Sequence, residues 1–299
     1  MRVRVRGVVA TIASLGLLTG CAQEPTPDVS PATAAAVRSL VSAPIELDIA
    51  EAYLVNECMS RHGHLNPIDS GSVAVPNADY AIVAGVLTGS EEQHAAAGYS
   101  TTVIATASAV DQMLQHMSET ERGQYLLDLY GADDAEVTYT GLDGTWTVGI
   151  QGEGCLAEAK TQLYGSVLNA AKVQQWPNEF SLGLGSARDT VFAAVGDAMP
   201  TYLTCMAGRG HELTGLWASR LAEERFGQYR AEGMPPSSAE ASLIRDDHQC
   251  QTESGLIQLI DAAALDAAAA WLVKNESAIL ETQALLQAAT ERANTVING

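Results

Sequence analysis

Four cysteines in two matched settings limit what this chain of 299 residues can fold into. The segment Cys58-Met-Ser-Arg-His-Gly-His64 is echoed by Cys205-Met-Ala-Gly-Arg-Gly-His211, and the two share their Cys, Met, Gly and His positions. Cys155 and Cys250 form a second matched set, because a glutamate follows each of them three residues later. A weaker echo joins Glu91-Glu92 before Gly98-Tyr99 to Glu223-Glu224 before Gly227-Gln-Tyr229. The same order in both halves predicts an internal duplication.

An even number of cysteines in an oxidising compartment is typical of disulfide bonds. Four cysteines allow three pairings, and the duplication favours a bridge closed within each copy. We therefore predict Cys58–Cys155 and Cys205–Cys250, with separations of 97 and 45 residues, while other pairings that respect the repeat stay open. Loops of these lengths give roughly 4 to 5 kcal/mol of stabilisation per bridge. That is comparable to the net stability of many domains, so we interpret the bridges as structural.

The first 21 residues, MRVRVRGVVATIASLGLLTGC, are typical of an export signal. Three arginines precede an apolar stretch that is too short to span a bilayer. Leu18-Thr-Gly-Cys21 resembles the lipobox of bacterial lipoproteins, in which the cysteine receives a diacylglycerol and becomes the mature N-terminus. Two acyl chains anchor a protein stably. The resemblance implies a signal peptide over 1–20 and a cell-membrane lipid anchor at Cys21 on the extracytoplasmic face; an ordinary secretory signal is the alternative.

Composition divides the rest of the chain into a spacer and a helical region. Residues 21–44 mix prolines with Ser, Thr and Ala, and we predict a lipidated, disordered spacer there. The remainder suits one large domain or two small ones, which we divide into a first helical half (45–180) and a second helical half (181–299). No later segment offers about 18 uninterrupted apolar residues, so we predict that the mature protein does not span the membrane.

Helical periodicity predicts a mainly α fold, stapled by the disulfides, with a small β-hairpin inserted in the first half. Residues 46–62 read as a helix that ends before Gly63, and Ser118-x-x-Glu121 is a capping box for a helix over 118–130. Further helices are predicted over 154–175, 187–209 with a kink at Pro200, 216–232, and 237–297 with a break near Asn275. The hairpin is predicted over 136–150, with a loop at 66–88 and a connector at 176–186.

Charge and composition exclude some partners. Apolar residues make up 47% of the chain, which is enough for a core, while aromatics make up only 5%, so we expect Ala, Leu and Val to fill it. The formal net charge is −20. An acidic surface repels phosphate groups, so we expect no nucleic-acid partner and no peripheral binding to anionic lipid.

The histidines are the sharpest candidates for chemistry. His62, His64 and His211, with His248, would form a zinc or copper site if the duplication brought His64 and His211 together. We favour the interpretation that they are surface residues just past helix ends, because metal sites carry further ligands at fixed spacing. No cofactor is therefore predicted.

Paired acidic residues are the other candidates, and they occur at Glu91-Glu92, Asp133-Asp134, Glu223-Glu224 and Asp246-Asp247. Glycoside hydrolysis needs two carboxylates that face each other across a cleft, whereas adjacent acids on one helix point apart. We interpret these pairs as solvated faces. The sequence has no Gly-x-Ser-x-Gly, Ser-x-x-Lys or His-Glu-x-x-His motif, so no catalytic residue is predicted.

Several short motifs together resemble one group of proteins. Cys58-Met-x-x-x-Gly, Gly98-Tyr99 and Gly154-Cys155-Leu-x-Glu-Ala, behind a lipobox, are similar to a group of uncharacterised actinobacterial lipoproteins, although His64 and His211 stand where that group has an aromatic residue. The resemblance implies location and a disulfide framework, and no activity. We predict a non-enzymatic module that binds an envelope protein or a small ligand. An extracellular hydrolase of cell wall or polymer, or a histidine-based metal-binding protein, is the alternative.

Overall fold

The computed structural model describes residues 28–41, 43–65, 87, 90–103, 109–185, 188–231 and 234–299. The predicted signal peptide, Cys21 and most of the predicted 66–88 loop lie outside these residues. Within them the chain is mainly helical with a few short strands, which confirms the predicted fold class at that level.

The helices of the described residues are α1 (Pro31–Val41), α2 (Glu46–Arg61), α3 (Glu91–Ala97), α4 (Ala109–His116), α5 (Glu119–Tyr130), α6 (Gly154–Tyr164), α7 (Val167–Gln174), α8 (Trp176–Leu184), α9 (Arg188–Ala193), α10 (Val195–Gly208), α11 (Ala218–Phe226), α12 (Ser238–Glu253), α13 (Leu256–Ala267) and α14 (Ala269–Asn298). The strands form two pairs, a parallel one of β1 (Thr101–Val103) with β4 (Tyr229–Ala231) and an antiparallel one of β2 (Glu136–Thr140) with β3 (Thr147–Gln151).

The predicted capping box at the start of α5 is present. The Ser118 hydroxyl accepts a hydrogen bond from the backbone N–H of Glu121, and the Glu121 carboxylate accepts one from the backbone N–H of Ser118. Gly131 follows the helix with a φ of 81°, a backbone conformation that residues other than glycine rarely adopt. Residues within one turn of each end therefore determine where this helix begins and ends.

Helices from both halves of the sequence pack around the long C-terminal helix α14 in a first bundle. Its members are α1, α2, α5, α6, α7, α8 and the long C-terminal helix α14, with the β2–β3 hairpin against α7. Helices α2 and α14 pack on each other, and alanine and leucine are prominent among their buried side chains, including Ala50, Leu54, Leu286 and Ala289. Large aromatic side chains are also fully buried in this bundle, among them Trp176 and Phe180, so the expected Ala/Leu/Val core is only part of it.

The second bundle surrounds α12. It contains α3, α9, α10, α11, α12 and α13, with the β1–β4 pair beside it. Helix α3 comes from the first half of the sequence and packs on α12, whereas α14 comes from the second half and packs in the first bundle. A division at residue 180 does not describe this packing, because apolar faces on α3 and α14 are each buried by helices of the other half.

The predicted disordered spacer over 21–44 is wrong for residues 31–41, which form α1. Ala36, Val37 and Leu40 recur at helical spacing and are buried, chiefly against α14. The hydroxyls of Ser30 and Thr33 donate to the Glu276 carboxylate of α14 at 2.6 Å each, which fixes the start of α1. Pro31 occupies the first helical position, where proline is favoured, so its presence did not argue against a helix.

Several predicted helix boundaries are wrong, because the helices end where backbone geometry or packing requires it. The predicted helix over 154–175 divides at Gly165, whose φ of 83° ends α6. The break expected at Pro200 falls earlier, at Ala194, and α10 continues through the proline. The break expected near Asn275 is absent from α14, and the chain instead turns at Gly255 and Ala268. Residues 229–231 of the predicted 216–232 helix are strand β4, and the predicted connector over 176–186 contains helix α8.

The predicted β-hairpin is confirmed in β2 and β3 and is fastened to α8. Buried Glu179 accepts hydrogen bonds from the Tyr139 hydroxyl at 2.8 Å and from the Leu142 backbone N–H at 2.9 Å. Burial, followed by the adjacent Glu179 carboxylate, raises the pKa of Tyr139. A buried glutamate side chain thus holds the only antiparallel strand pair of the described residues in place.

No single helix among the described residues is long and apolar enough to cross a membrane. Helices α13 and α14, bent by 88° relative to each other, reach that length and composition only when taken together.

Candidate functional site

The two disulfide bonds pair as predicted. Cys58 bonds to Cys155 and Cys205 bonds to Cys250, with Cα–Cα distances of 5.5 and 5.6 Å. Each bridge joins the last turn of one helix to a following helix, α2 to α6 and α10 to α12. Both bridges are therefore staples between packed helices.

The chain leaves α2 and α10 by the same turn. Gly63 and Gly210 adopt φ values of 82° and 85°, which satisfies the predicted role of these glycines. The backbone N–H of His64 then bonds back to the Met59 carbonyl, and the N–H of His211 bonds back to the Met206 carbonyl, both at 2.9 Å. Each histidine side chain is thereby placed just beyond a helix end.

The histidines of the predicted metal set bind carboxylates of their own. The Nε2 atom of His64 lies 2.8 Å from Asp128 on α5, and the Nε2 atom of His211 lies 2.9 Å from Asp246 on α12. His62 also approaches Asp128, at 3.5 Å. Burial alone would raise the pKa of Asp128, but hydrogen bonds from His64 and Gln124 and the charges of both histidines outweigh it and leave that pKa below its usual value.

One grouping of ligand atoms within the described residues has the spacing of a metal site. It consists of Cys58, His62 and Cys155, whose donor atoms lie within 4.8 Å of one another. The two sulfur atoms are bonded to each other, so neither is a thiolate able to bind a metal. The fourth candidate, His248, lies in the second bundle with its ring 6.2 Å from that of His94.

The second bundle contains a cavity where two similar turns meet. Gly98 links α3 to β1 and Gly227 links α11 to β4, with φ values of 76° and 89°. The two strands pair in parallel, and the Ser100 hydroxyl donates to the Gly227 carbonyl at 2.8 Å. The cavity has a volume of about 340 Å³ and is lined by Tyr99, Ser100, Trp217, Ser219, Arg220, Glu223, Gly227 and Gln228.

The rim of the cavity carries an exposed tryptophan and exposed polar side chains. Trp217 directly precedes α11 and is 54% exposed. Ser219, Glu223 and Gln228 have side chains without a hydrogen bond or ion pair to any part of the chain that the structure describes. Among the residues that the structure describes, Arg220 pairs with Glu224 alone, at 3.7 Å, and both side chains are exposed. An exposed pair of this kind contributes little to stability, so its groups remain available to a ligand.

The floor of the cavity is fixed from below by a buried glutamate. Glu240 on α12 is 3% exposed and accepts hydrogen bonds from the backbone N–H groups of Tyr99 at 2.7 Å and Ser100 at 2.8 Å. The Arg230 guanidinium lies 3.8 Å from the same carboxylate and donates to the Ala97 carbonyl. A carboxylate placed under two consecutive N–H groups holds the 98–100 turn in one conformation.

A second buried carboxylate fixes the Tyr99 side chain. Asp247 is 1% exposed and accepts hydrogen bonds from the hydroxyls of Tyr99 and Tyr202, the latter at 2.6 Å, and from the Gln251 amide at 3.0 Å. Gln251 in turn accepts a hydrogen bond from the Leu87 backbone N–H at 2.7 Å. Burial raises the pKa of Asp247 despite these donors, and burial with the aspartate charge raises the pKa of both tyrosines.

The paired acids separate as expected for neighbours on a helix, but not all are solvated. Asp246 points to His211 and Arg209, whereas Asp247 points into the second bundle. The interpretation of Asp247 as part of a solvated face is therefore wrong, because α12 is covered on that side by α10 and α3. Glu91 binds Gln249 across the α3–α12 contact, and Glu223 lines the cavity.

Sequence reasoning missed the cavity, although a signal for it was present. The echo between Gly98-Tyr99 and Gly227-Gln-Tyr229 marks the two turns that meet there. Nothing in the spacing indicates that β1 and β4 pair, because more than a hundred residues separate them and no periodic pattern encodes that contact. Trp217 carries no motif and is identified only by its exposure beside the cavity.

A scan against protein-family models finds no match for this chain, and neither a search of curated proteins nor one of solved structures finds a similar protein.

Proposed function

We propose that this chain is a lipid-anchored, extracytoplasmic binding module that holds a small polar ligand in the cavity between the 98–100 turn and α11. The observation that carries the proposal is a cavity floor held by buried carboxylates, beneath a rim of exposed polar side chains. Two buried carboxylates fix Tyr99 and Ser100, while polar side chains around them lack partners within the described residues. Preorganisation of this kind lowers the entropy lost on binding.

The same geometry favours binding over catalysis. Asp247 has the burial and the raised pKa that often accompany a catalytic acid. Its oxygens, however, accept hydrogen bonds from Tyr99, Tyr202 and Gln251, and it reaches the cavity only through Tyr99. A general acid acts on a group within hydrogen-bonding reach, directly or through one water, and Asp247 is not among the residues that line the cavity. We therefore assign Asp247 a positioning role.

The location is proposed from the sequence, since it depends on residues 1–27. The lipobox-like Leu18-Thr-Gly-Cys21 and its positive flank favour lipidation of Cys21, as does the resemblance to actinobacterial lipoproteins. Ser30, which is bonded to Glu276, follows Cys21 by nine residues. A chain of that length reaches at most about 30 Å, so the anchor would hold the folded domain close to the membrane surface.

We also infer that the fold arose from the predicted internal duplication. In its support, α2 and α10 end in the same turn, with the same backbone bond and a histidine bound to a carboxylate. Each is stapled by a disulfide to a later helix, and α3 and α11 both lead through a positive-φ glycine into a strand. The copies differ in the source of the carboxylate, which is α5 in one and the disulfide-bonded helix itself in the other.

A binding screen on the full chain, purified from membranes, tests the ligand proposal. The panel holds neutral trisaccharides, free amino acids and short peptides, and saturation-transfer NMR reports contact. We expect at least one compound to bind, and to bind more weakly to a Trp217→Ala variant but not to Tyr53→Ala, which removes an aromatic side chain of similar exposure, 50%, from α2. Binding by no compound on the panel contradicts the proposal.

Mass spectrometry of the same material tests the anchor. The expected mature N-terminus is Cys21 carrying a diacylglyceryl group. An uncleaved chain that begins at Met1 would contradict the proposed location and leave the cavity proposal standing.

A further inference from the structure

The lining of the cavity carries no net charge, although the protein as a whole is strongly acidic. Arg220 and Glu223 are its charged side chains, and their formal charges cancel. The chain has a net charge of −20, which disfavours the approach of anions. A cation would meet the Arg220 guanidinium beside Glu223, and the nearby Glu224 already pairs with Arg220 at 3.7 Å. The charge pattern therefore favours a ligand that is itself uncharged.

Trp217 offers the flat apolar surface of the site. One edge of its ring lies beside Gly215, where an added Cβ atom would come within 3.3 Å of the ring, so a glycine leaves room for the indole at this position. More than half of the side chain stays exposed. A tryptophan presents a large rigid face at little conformational cost, and that face packs against the C–H face of a ring.

The polar side chains of the rim can both donate and accept hydrogen bonds. The Ser219 hydroxyl and the Gln228 amide each do both, while Arg220 only donates and Glu223 only accepts. Ligand hydroxyls also do both, so a ring bearing several hydroxyls can satisfy this set without any proton transfer. An apolar ligand would leave these groups without partners once it displaced their water.

From these observations we propose that the cavity binds a neutral saccharide, with one sugar ring stacked on Trp217 and its hydroxyls bonded to Ser219, Arg220, Glu223 and Gln228. This inference rests on the proposed binding function and names the ligand class. A volume of about 340 Å³ lies at the small end of the range for ligand pockets, which suits one ring. The rim is exposed, so a longer chain of sugars extends into solvent.

The test measures affinity by titration calorimetry with maltotriose, cellotriose, chitotriose and mannotriose as probes, and with glycine and glutamate as comparison ligands. The full chain is held in a zwitterionic amine-oxide detergent, because detergents with sugar head groups would compete. We expect one or more trisaccharides to bind. Trp217→Ala should weaken that binding about tenfold, the value for loss of an aromatic contact of about 1.4 kcal/mol.

Matched variants separate a lost contact from a lost fold. Trp217→Phe keeps a smaller aromatic face and should retain most of the affinity, whereas Tyr53→Ala should change the affinity by less than about twofold because its side chain lies on α2. Glu223→Gln keeps one acceptor and should weaken binding less than Glu223→Ala. Saccharide binding that is unchanged in Trp217→Ala overturns the inference.

The outcomes also separate this inference from the proposed function. If an amino acid binds at Trp217 and no trisaccharide does, the saccharide assignment is wrong and the binding function survives. If no trisaccharide, amino acid or short peptide binds, both are wrong. Binding of trisaccharides that is equal in Trp217→Ala and Trp217→Phe also contradicts the assignment, because stacking requires the aromatic face.

Discussion

Replacing both cysteines of the Cys58–Cys155 bridge with alanine is expected to lower the free energy of unfolding by about 4.7 kcal/mol. The bridge closes a loop of 97 residues, and opening it restores the conformational freedom of that loop to the unfolded chain. The same relation for the separation of 45 residues between Cys205 and Cys250 gives about 4.0 kcal/mol. The first bridge should therefore contribute about 0.7 kcal/mol more than the second.

The structure also indicates that removing either disulfide bond should destabilise the whole molecule. The loop closed by Cys58–Cys155 contains α3 and β1, and the loop closed by Cys205–Cys250 contains α11 and β4. These two loops meet in the β1–β4 pair, and α3 packs on α12 in the second bundle. Opening either bridge releases a segment that holds part of the second bundle, so unfolding should remain one transition.

Urea unfolding followed by far-ultraviolet circular dichroism measures the effect. Each double variant should show a lower midpoint and a steeper dependence on urea, because an unfolded chain without the crosslink exposes more surface. Ser60→Ala, an exposed change beside Cys58, serves as the control and should alter stability by less than about 0.5 kcal/mol. A loss below about 1 kcal/mol with an unchanged urea slope would refute the argument from loop closure.

Three further substitutions test other parts of the structure. Asp128→Asn should reduce the loss of stability at acid pH. Because the pKa of Asp128 is lowered in the folded protein, its carboxylate stabilises the fold above about pH 3.9, and this stabilisation is lost as pH falls through the folded pKa. Equal losses of unfolding free energy at acid pH in variant and wild type would contradict this. The unfolding free energy of Asp247→Asn should rise relative to that of the wild type as pH rises from 4 to 8. The raised pKa of Asp247 means that its contribution to stability is greatest below about pH 3.9 and is lost as pH rises through the folded pKa. A difference in unfolding free energy that does not change with pH argues against a raised pKa. Glu179→Ala removes two hydrogen bonds to the hairpin and should cost about 2 to 3 kcal/mol, with faster hydrogen exchange in residues 136–151; unaltered exchange there contradicts the proposed fastening.

The predicted features that the structure confirms have local causes. A capping serine begins α5, and a glycine with positive φ follows the last turn of both α2 and α5. Both signals lie within a few residues of the helix. The β2–β3 hairpin is likewise a contact between neighbours in sequence. The disulfide pairing was predictable because the repeat assigned one cysteine of each kind to each half.

What the sequence determined by itself is therefore the helical class, the staples and the turn beyond each matched cysteine, since hydrogen bonds and backbone dihedrals within a few residues decide them. Tertiary structure alone decided that residues 31–41 form a helix and that α3 and α14 each pack with helices of the other half of the sequence. It also decided that the 98–100 turn and α11 line one cavity. Those contacts join residues far apart in the chain, and apolar burial, which has no direction along the sequence, selects them. The same burial placed Asp247 inside the second bundle, because α10 and α3 cover that side of α12, while its neighbour Asp246 faces outward.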